Sequence, residues 1–202
     1  MTRRSTGTLH VRGAEPYPPS PPPETVARTS RPRNSQARVM EDRERLEQVL
    51  RGSGDAARNP GPEEMRRLIR EVDTIAVVGM SRDPMKTARR VPSYLAAMGK
   101  QIIPVNPFAG RILKKPARKS LDEVNEPVDM VLIFRPSNEV GEFVRAAAAR
   151  PEAPVIWLQE GIRDDAAAAE ARAAGRTVVQ DLCIYRVRRA LGENLRRAFR
   201  SS

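Results

Sequence analysis

Cysteine, histidine and aromatic residues are all scarce in this chain, and each shortage excludes something. The one cysteine, Cys183, cannot form a disulfide within the chain, which suits a reducing compartment. The one histidine, His10, stands in a proline-rich amino-terminal stretch. Nucleophilic catalysis of the kind that pairs a serine or cysteine with an imidazole base therefore has no base in the main part of the sequence. No apolar run reaches the ~18 residues that a membrane-crossing helix requires. Met1 to Pro23 also lacks the apolar core of a secretory signal. These absences lead to the expectation of a soluble, cytoplasmic protein.

Acidic residues are in short supply only at the two ends. The formal net charge is +11 over 202 residues. Residues 1–40 hold seven arginines against Glu15 and Glu24, and residues 184–202 hold six against Glu193. Each end thus contributes +5, and residues 41–183 carry only +1. A domain that reads nucleic acid through its folded face would concentrate its basic excess there. No specific nucleic-acid partner is expected, although basic tails can touch acidic partners without specificity.

The same composition sets the organisation. Residues 1–40 combine Pro16, Pro18, Pro19, Pro21, Pro22, Pro23 and Pro32 with few apolar residues. Such a segment cannot bury enough surface to offset its ordering entropy and is expected to be disordered. Its Arg and Ser content also fits a transit peptide, and Met40 is an alternative start. Residues 41–61 read as an amphipathic helix, Glu41 to Leu50, and a linker that opens with Gly52-Ser53-Gly54. Residues 62–202 form the main domain. Pro62 with Glu63 and Glu64 marks a helix start.

Strands and helices then alternate. Short apolar runs at Thr74–Val78, Gln101–Val105, Asp129–Phe134, Val155–Leu158 and Arg176–Gln180 read as strands. Helical stretches at Thr87–Met98, Asn138–Arg150 and Asp164–Ala174 separate them, with a helical turn at Leu121–Val124. A basic helix over Tyr185–Phe199 ends the chain. The alternation predicts an α/β, Rossmann-like, doubly wound fold with a five-stranded, mainly parallel sheet. Ligands in such sheets bind at the carboxyl ends of the strands, so those ends are where function is sought.

The first strand end reads Gly79-Met80-Ser81-Arg82-Asp83-Pro84. Gly79 permits a sharp turn and close backbone approach, and the following helix start attracts phosphate. Ser81 adds a hydroxyl, and Arg82, Lys86, Arg89 and Arg90 add cations suited to a diphosphate and a further phosphate. An ordinary strand-to-helix turn with basic surface residues has the same appearance. The dinucleotide fingerprint Gly-x-Gly-x-x-Gly is missing, and Asn106 stands where an acid would hold the ribose, which disfavours a standard NAD site. At the third strand end, Phe134 and Pro136 either wall an adenine or serve the core and a helix start, and Arg135 can meet a phosphate. Gln159-Glu160-Gly161 follows the fourth strand, with Glu160 the one candidate acid or base. Cys183, beyond the fifth, reads as a small buried hydrophobe.

With these residues in view, the chain resembles the stand-alone CoA-binding-domain proteins, the YccU-like family. That family is similar to the amino-terminal CoA-binding domain of the succinyl-CoA synthetase alpha subunit. The resemblance runs from Glu63 to Val187 and rests on Thr74–Ser81, Ile103–Pro107, Val128–Val131 with Phe134-Arg135, Trp157–Ile162 and Asp181–Cys183. It implies coenzyme A as the ligand, with Gly79, Met80 and Ser81 lining the pyrophosphate and Arg82 and Arg90 meeting phosphate charges. It implies that Asn106 and Pro107 shape the wall by the second strand. Phe134, Arg135 and Pro136 would then border the adenine, and Gln159, Glu160 and Gly161 the pantetheine arm. Two departures stand out: Leu182 replaces the family's Arg in Asp-Arg-Cys, and a basic segment (Arg111, Lys114, Lys115, Arg118, Lys119) lacks the usual Gly near position 114.

The leading expectation is a CoA or acyl-CoA binding protein without assigned catalysis, monomeric or homodimeric, with a possible protein partner and no membrane partner. One alternative is an NAD(P)-linked or acyl-CoA-processing enzyme. Another is an interaction protein that uses its basic tails. From its length and its lack of a histidine outside the tail, the chain is not expected to be a complete synthetase subunit, whose second domain carries a phosphorylated histidine.

Overall fold

A computed structural model describes residues 35–192. Most of the tail expected to be disordered, and residues 193–199 of the expected basic helix, lie outside the described residues; the helix that is described there ends at Ala190, with Leu191 as its C-cap.

The strands of the central sheet are apolar but for Thr74 and Gln101 at the starts of two of them, as strands covered on both faces are. Strands β1 (Thr74–Val78), β2 (Gln101–Val105), β5 (Met130–Ile133), β6 (Val155–Leu158) and β7 (Val178–Val179) form one parallel sheet in the order β2-β1-β5-β6-β7. Successive side chains alternate between the two faces. Ile75, Val77, Met130, Leu132 and Trp157 face one core, while Ala76, Val78, Val131, Ile133 and Leu158 face the other. The first core is closed by α1 (Ser35–Arg51), α2 (Pro62–Glu71), α3 (Thr87–Ala97) and α6 (Ile184–Ala190), and the second by α4 (Val140–Ala148) and α5 (Asp165–Ala173). This is the expected doubly wound α/β sheet.

Polar groups set the register at the sheet's ends. The Asp129 carboxylate accepts from the Asp73 and Thr74 N–H groups at 2.9 and 2.8 Å, which ties the amino ends of β1 and β5 together. The Asp164 side chain caps α5 through Ala167 N–H. It lies over Gly141 of α4, where an added Cβ would collide with its carboxylate.

Two features were not legible in the sequence. The first lies before the helical turn expected over Leu121–Val124, which is present as a 3-10 turn at Leu121–Glu123: residues 111–116 form a small hairpin of β3 (Arg111–Ile112) and β4 (Lys115–Pro116). Arg118 continues this chain along the outer edge of β2, its N–H donating to Pro104 O and its carbonyl accepting from Asn106 N–H, each at 2.8 Å.

The second feature is the stretch after α1. That helix begins at Ser35, before the Glu41 read from the sequence, and buries Leu46 and Leu50. Ser53, Asp55 and Asn59 are then buried against the carboxyl end of β7. Asn59 accepts from Gln180 N–H at 2.8 Å and donates to Gln180 O at 2.9 Å, as the backbone of another strand would. Ser53 Oγ also donates to Gln180 O, at 3.0 Å. The Asp55 carboxylate accepts from Gln180, Arg172 and Arg58 at 3.0, 2.9 and 2.7 Å.

Candidate functional site

In a sheet of this order the strand connections reverse direction between β1 and β5, which opens a crevice at their carboxyl ends. Gly79 follows β1 there and Arg135 follows β5. Gly79 has φ +76°, a conformation that glycine adopts without strain. A Cβ there would lie 3.0 Å from Arg135 Cδ, a tight contact to which the arginine side chain would have to yield. The Gly79 N–H donates to Val105 O at 3.0 Å. Arg135 pairs with Glu139, and its Nε is buried with no hydrogen-bond partner among the described residues.

The loop from Gly79 to α3 is organised by its own polar groups. Ser81 Oγ accepts from Asp83 N–H at 3.1 Å, Asp83 Oδ1 from Met85 N–H at 2.9 Å, and Ala88 O from Ser81 N–H at 3.2 Å. The Ser81 and Asp83 N–H groups are thus taken within the loop. No side chain caps α3, whose N-cap residue is Lys86. Arg82, Lys86 and Arg90 are exposed, and none makes an ion pair among the described residues; the same holds for the half-buried Arg89.

The expected site residues divide between surface and core. Met80 is fully buried in the core, so only its backbone remains on the loop. Asn106 holds that backbone, its Nδ2 donating to Met80 O and its Oδ1 accepting from Phe108 N–H, both at 2.8 Å. Both ends of the Asn106 amide are therefore occupied within the protein. Pro107 and Pro136 are exposed, while Phe134 is half-buried against the core. Gln159 is buried, its Nε2 donating to Cys183 Sγ at 3.1 Å and its Oε1 accepting from Ile184 N–H at 3.4 Å. Glu160 is exposed and paired with Arg186. Gly161 has φ +80°, and its N–H donates to Asp181 Oδ1 at 2.6 Å.

Sequence reasoning gave Asp181 no role beyond its place in a family block, and passed over Phe108. Asp181 takes φ +49° and accepts from Gly161 N–H and, at 2.8 Å, from Gly54 N–H, which joins the loop after β6 to the segment after α1. Its neighbour Cys183 drew attention instead. Phe108 is 84% exposed and Met85 80% exposed, on the neighbouring loops after β2 and β1. No pattern marks an exposed aromatic within an apolar-looking stretch.

No helix among the described residues is long and apolar enough to cross a membrane. No cluster of His, Cys, Asp or Glu among them could hold a metal.

Known proteins are similar to this chain in sequence and fold. The uncharacterized protein YneT of Bacillus subtilis (strain 168) is 36% identical over 126 residues, which is 62% of this chain and 93% of that protein. A solved structure from Thermus thermophilus is 35% identical with a TM-score of 0.59, covering 63% of this chain and 97% of its own. A hypothetical protein from Pyrococcus horikoshii OT3 is 27% identical with a TM-score of 0.60, covering 64% of this chain and 90% of its own. Residues 73–189 match the CoA binding domain model, and by that match the chain belongs to the CoA-binding domain family.

Proposed function

We propose that the protein binds coenzyme A or an acyl-CoA, with the diphosphate over the loop 79–86 and the first turn of α3, and that binding rather than catalysis is its task. The observation that carries this reading is the apposition of Gly79 and Arg135 at the crevice between β1 and β5. The Cγ and Cδ of Arg135 lie against Gly79, which brings an arginine side chain to the crevice. The buried Arg135 Nε–H lacks an acceptor among the described residues. A buried donor left unpaired costs about 1–3 kcal/mol, and a phosphate oxygen is an acceptor of the right charge. The uncapped start of α3 adds N–H groups and a favourable dipole. Arg82, Lys86 and Arg90 surround that start with positive charge.

Calorimetric titration of the full chain with coenzyme A and NAD, in the original protein and in Ser81→Glu, tests this. Coenzyme A is expected to bind and NAD to bind far more weakly. Ser81→Glu puts a carboxylate where the diphosphate would lie, and is expected to abolish binding without unfolding the protein. Absence of coenzyme A binding, or full binding by Ser81→Glu, overturns the reading.

A further inference from the structure

We infer that Arg163 is a positioning residue of the site, and that through it the segment after α1 and the bound ligand hold each other in place. This rests on the ligand lying in the crevice as proposed above. The segment, residues 52–59, lies outside the family match over residues 73–189.

The link is a run of direct contacts. Arg163 Nη1 donates to Gly54 O at 2.6 Å, and the Arg163 backbone N–H donates to Ser137 Oγ at 3.0 Å. Asp165 pairs with the same guanidinium at 3.0 Å, which gives it a fixed seat. Ser137 stands on the loop after β5 that begins with Arg135, the residue against Gly79. That loop is closed on itself by Glu139, whose N–H donates to Pro136 O at 2.9 Å and whose carboxylate pairs with Arg135. A second contact runs alongside. Asp181 accepts from Gly54 N–H at 2.8 Å through one oxygen and from Gly161 N–H at 2.6 Å through the other. Gly54 thus gives both its N–H and its C=O to side chains from the loops after β6 and β7.

The contact has no slack. A Cβ on Gly54 would lie 2.6 Å from Arg163 Nη1 and 2.6 Å from Asp181 Oδ2, so any larger residue must part the segment from both. Ser53, Asp55 and Asn59 already fasten the segment to Gln180 and Arg172. The contacts of Gly54 reach elsewhere, to the loops that border the crevice. Coupling between two sites is reciprocal. A docked segment that raises affinity for the ligand is itself held more firmly by the ligand, by the same factor.

The test measures both halves of that coupling on the full chain. Hydrogen exchange reports the segment through the Arg58 and Asn59 N–H groups, which donate to Asp55 O at 3.0 and 2.9 Å. Saturating coenzyme A is expected to slow their exchange by about fivefold or more, the lower end of typical coupling between sites. Gly54→Ala is expected to weaken coenzyme A by a similar factor in calorimetric titration. Ser137→Ala cuts the link at its ligand end. It is expected to leave exchange in the free protein unchanged and to remove the slowing by coenzyme A. Gly175→Ala loses stability at the far end of α5 from Arg163, and is expected to keep both the affinity and the slowing. Coenzyme A that binds the original protein without slowing this exchange, or slowing that survives Ser137→Ala, overturns the inference and leaves coenzyme A binding intact. So does a folded Gly54→Ala with full affinity. Should Gly54→Ala not fold, exchange in the original protein and in Ser137→Ala decides. Absence of coenzyme A binding overturns the binding reading, and this inference with it.

Discussion

Gly79 lies against Arg135, and a methyl group on Gly79 would fit only if the arginine side chain gave way. A Cβ on Gly79 would also come within 3.4 Å of the Phe134 carbonyl carbon. Conformation and packing both require glycine here, and the two demands can be separated. Gly175, after α5, has φ +77° with nothing within 4 Å of an added Cβ. Gly175→Ala is expected to lose about 1–2 kcal/mol for the left-handed backbone alone. Gly79→Ala is expected to lose more, because Arg135 must move, and to weaken coenzyme A binding as Gly175→Ala does not. Denaturant unfolding and calorimetry on both variants measure this. Equal stability losses with equal affinities would show that Arg135 is free to swing aside.

Asn106 fastens the loop after β1 to the loop after β2 through Met80 O. Asn106→Ala is expected to weaken coenzyme A and 3′-dephospho-CoA in parallel, because it loosens the diphosphate loop rather than a phosphate contact. Parallel titrations check this. A selective loss of one nucleotide would mean that Asn106 touches the sugar after all.

Asp55 responds to pH in a defined direction. Burial pushes its carboxyl up, but hydrogen bonds from Gln180, Arg172 and Arg58 and the Arg172 charge outweigh burial and hold it below the ordinary 3.8. A folded-state value below the unfolded one gives a stability contribution that is full above pH 3.8 and lost as pH falls through the lower folded value. Asp55→Asn is expected to be less stable near neutrality and to lack this acid-dependent loss. Unfolding free energies measured from pH 6 to about pH 2.5 in both proteins give the comparison. Parallel pH profiles would contradict the assignment.

Asn59 closes the backbone of Gln180, and truncating it strands the Gln180 N–H in a buried position, while Gln180 O keeps Ser53 Oγ. Asn59→Ala is expected to destabilise by about 1–3 kcal/mol. Urea unfolding monitored through Trp157, which lies in the same core near β7, reports it. A change within ~0.5 kcal/mol, the range of ordinary surface substitutions, would mean that water substitutes for the amide.

The central sheet was legible because its strands are buried on both faces, so apolar runs such as Met130–Ile133 stand out from the charged sequence around them. Gly79 and the cations after it were legible for a related reason: a strand end followed by a helix start has a fixed place in this fold. Met80 and Gln159 read ambiguously. Their neighbours mark a ligand site, but whether a given side chain turns inward depends on packing, and both are buried. The β3–β4 hairpin was invisible because Leu113-Lys114 is not turn-forming chemistry; tertiary contacts impose the turn. Asn59 and Asp55 gave no signal either, since their partners lie more than a hundred residues away in sequence.

That separation bears on synthesis. A ribosome making this chain completes Ser53, Asp55 and Asn59 early and their partners on Arg172 and Gln180 near the end. Until then the early segment is wet and unpaired, and the outer edge strand is not yet made. The sheet strands made earlier can assemble on the emerging chain, but this closure waits until Arg172 and Gln180 have been made. Interrupted translation products that stop short of Arg172 would therefore lack the fastening that holds α1 and its following segment in place, leaving them open to quality-control proteases.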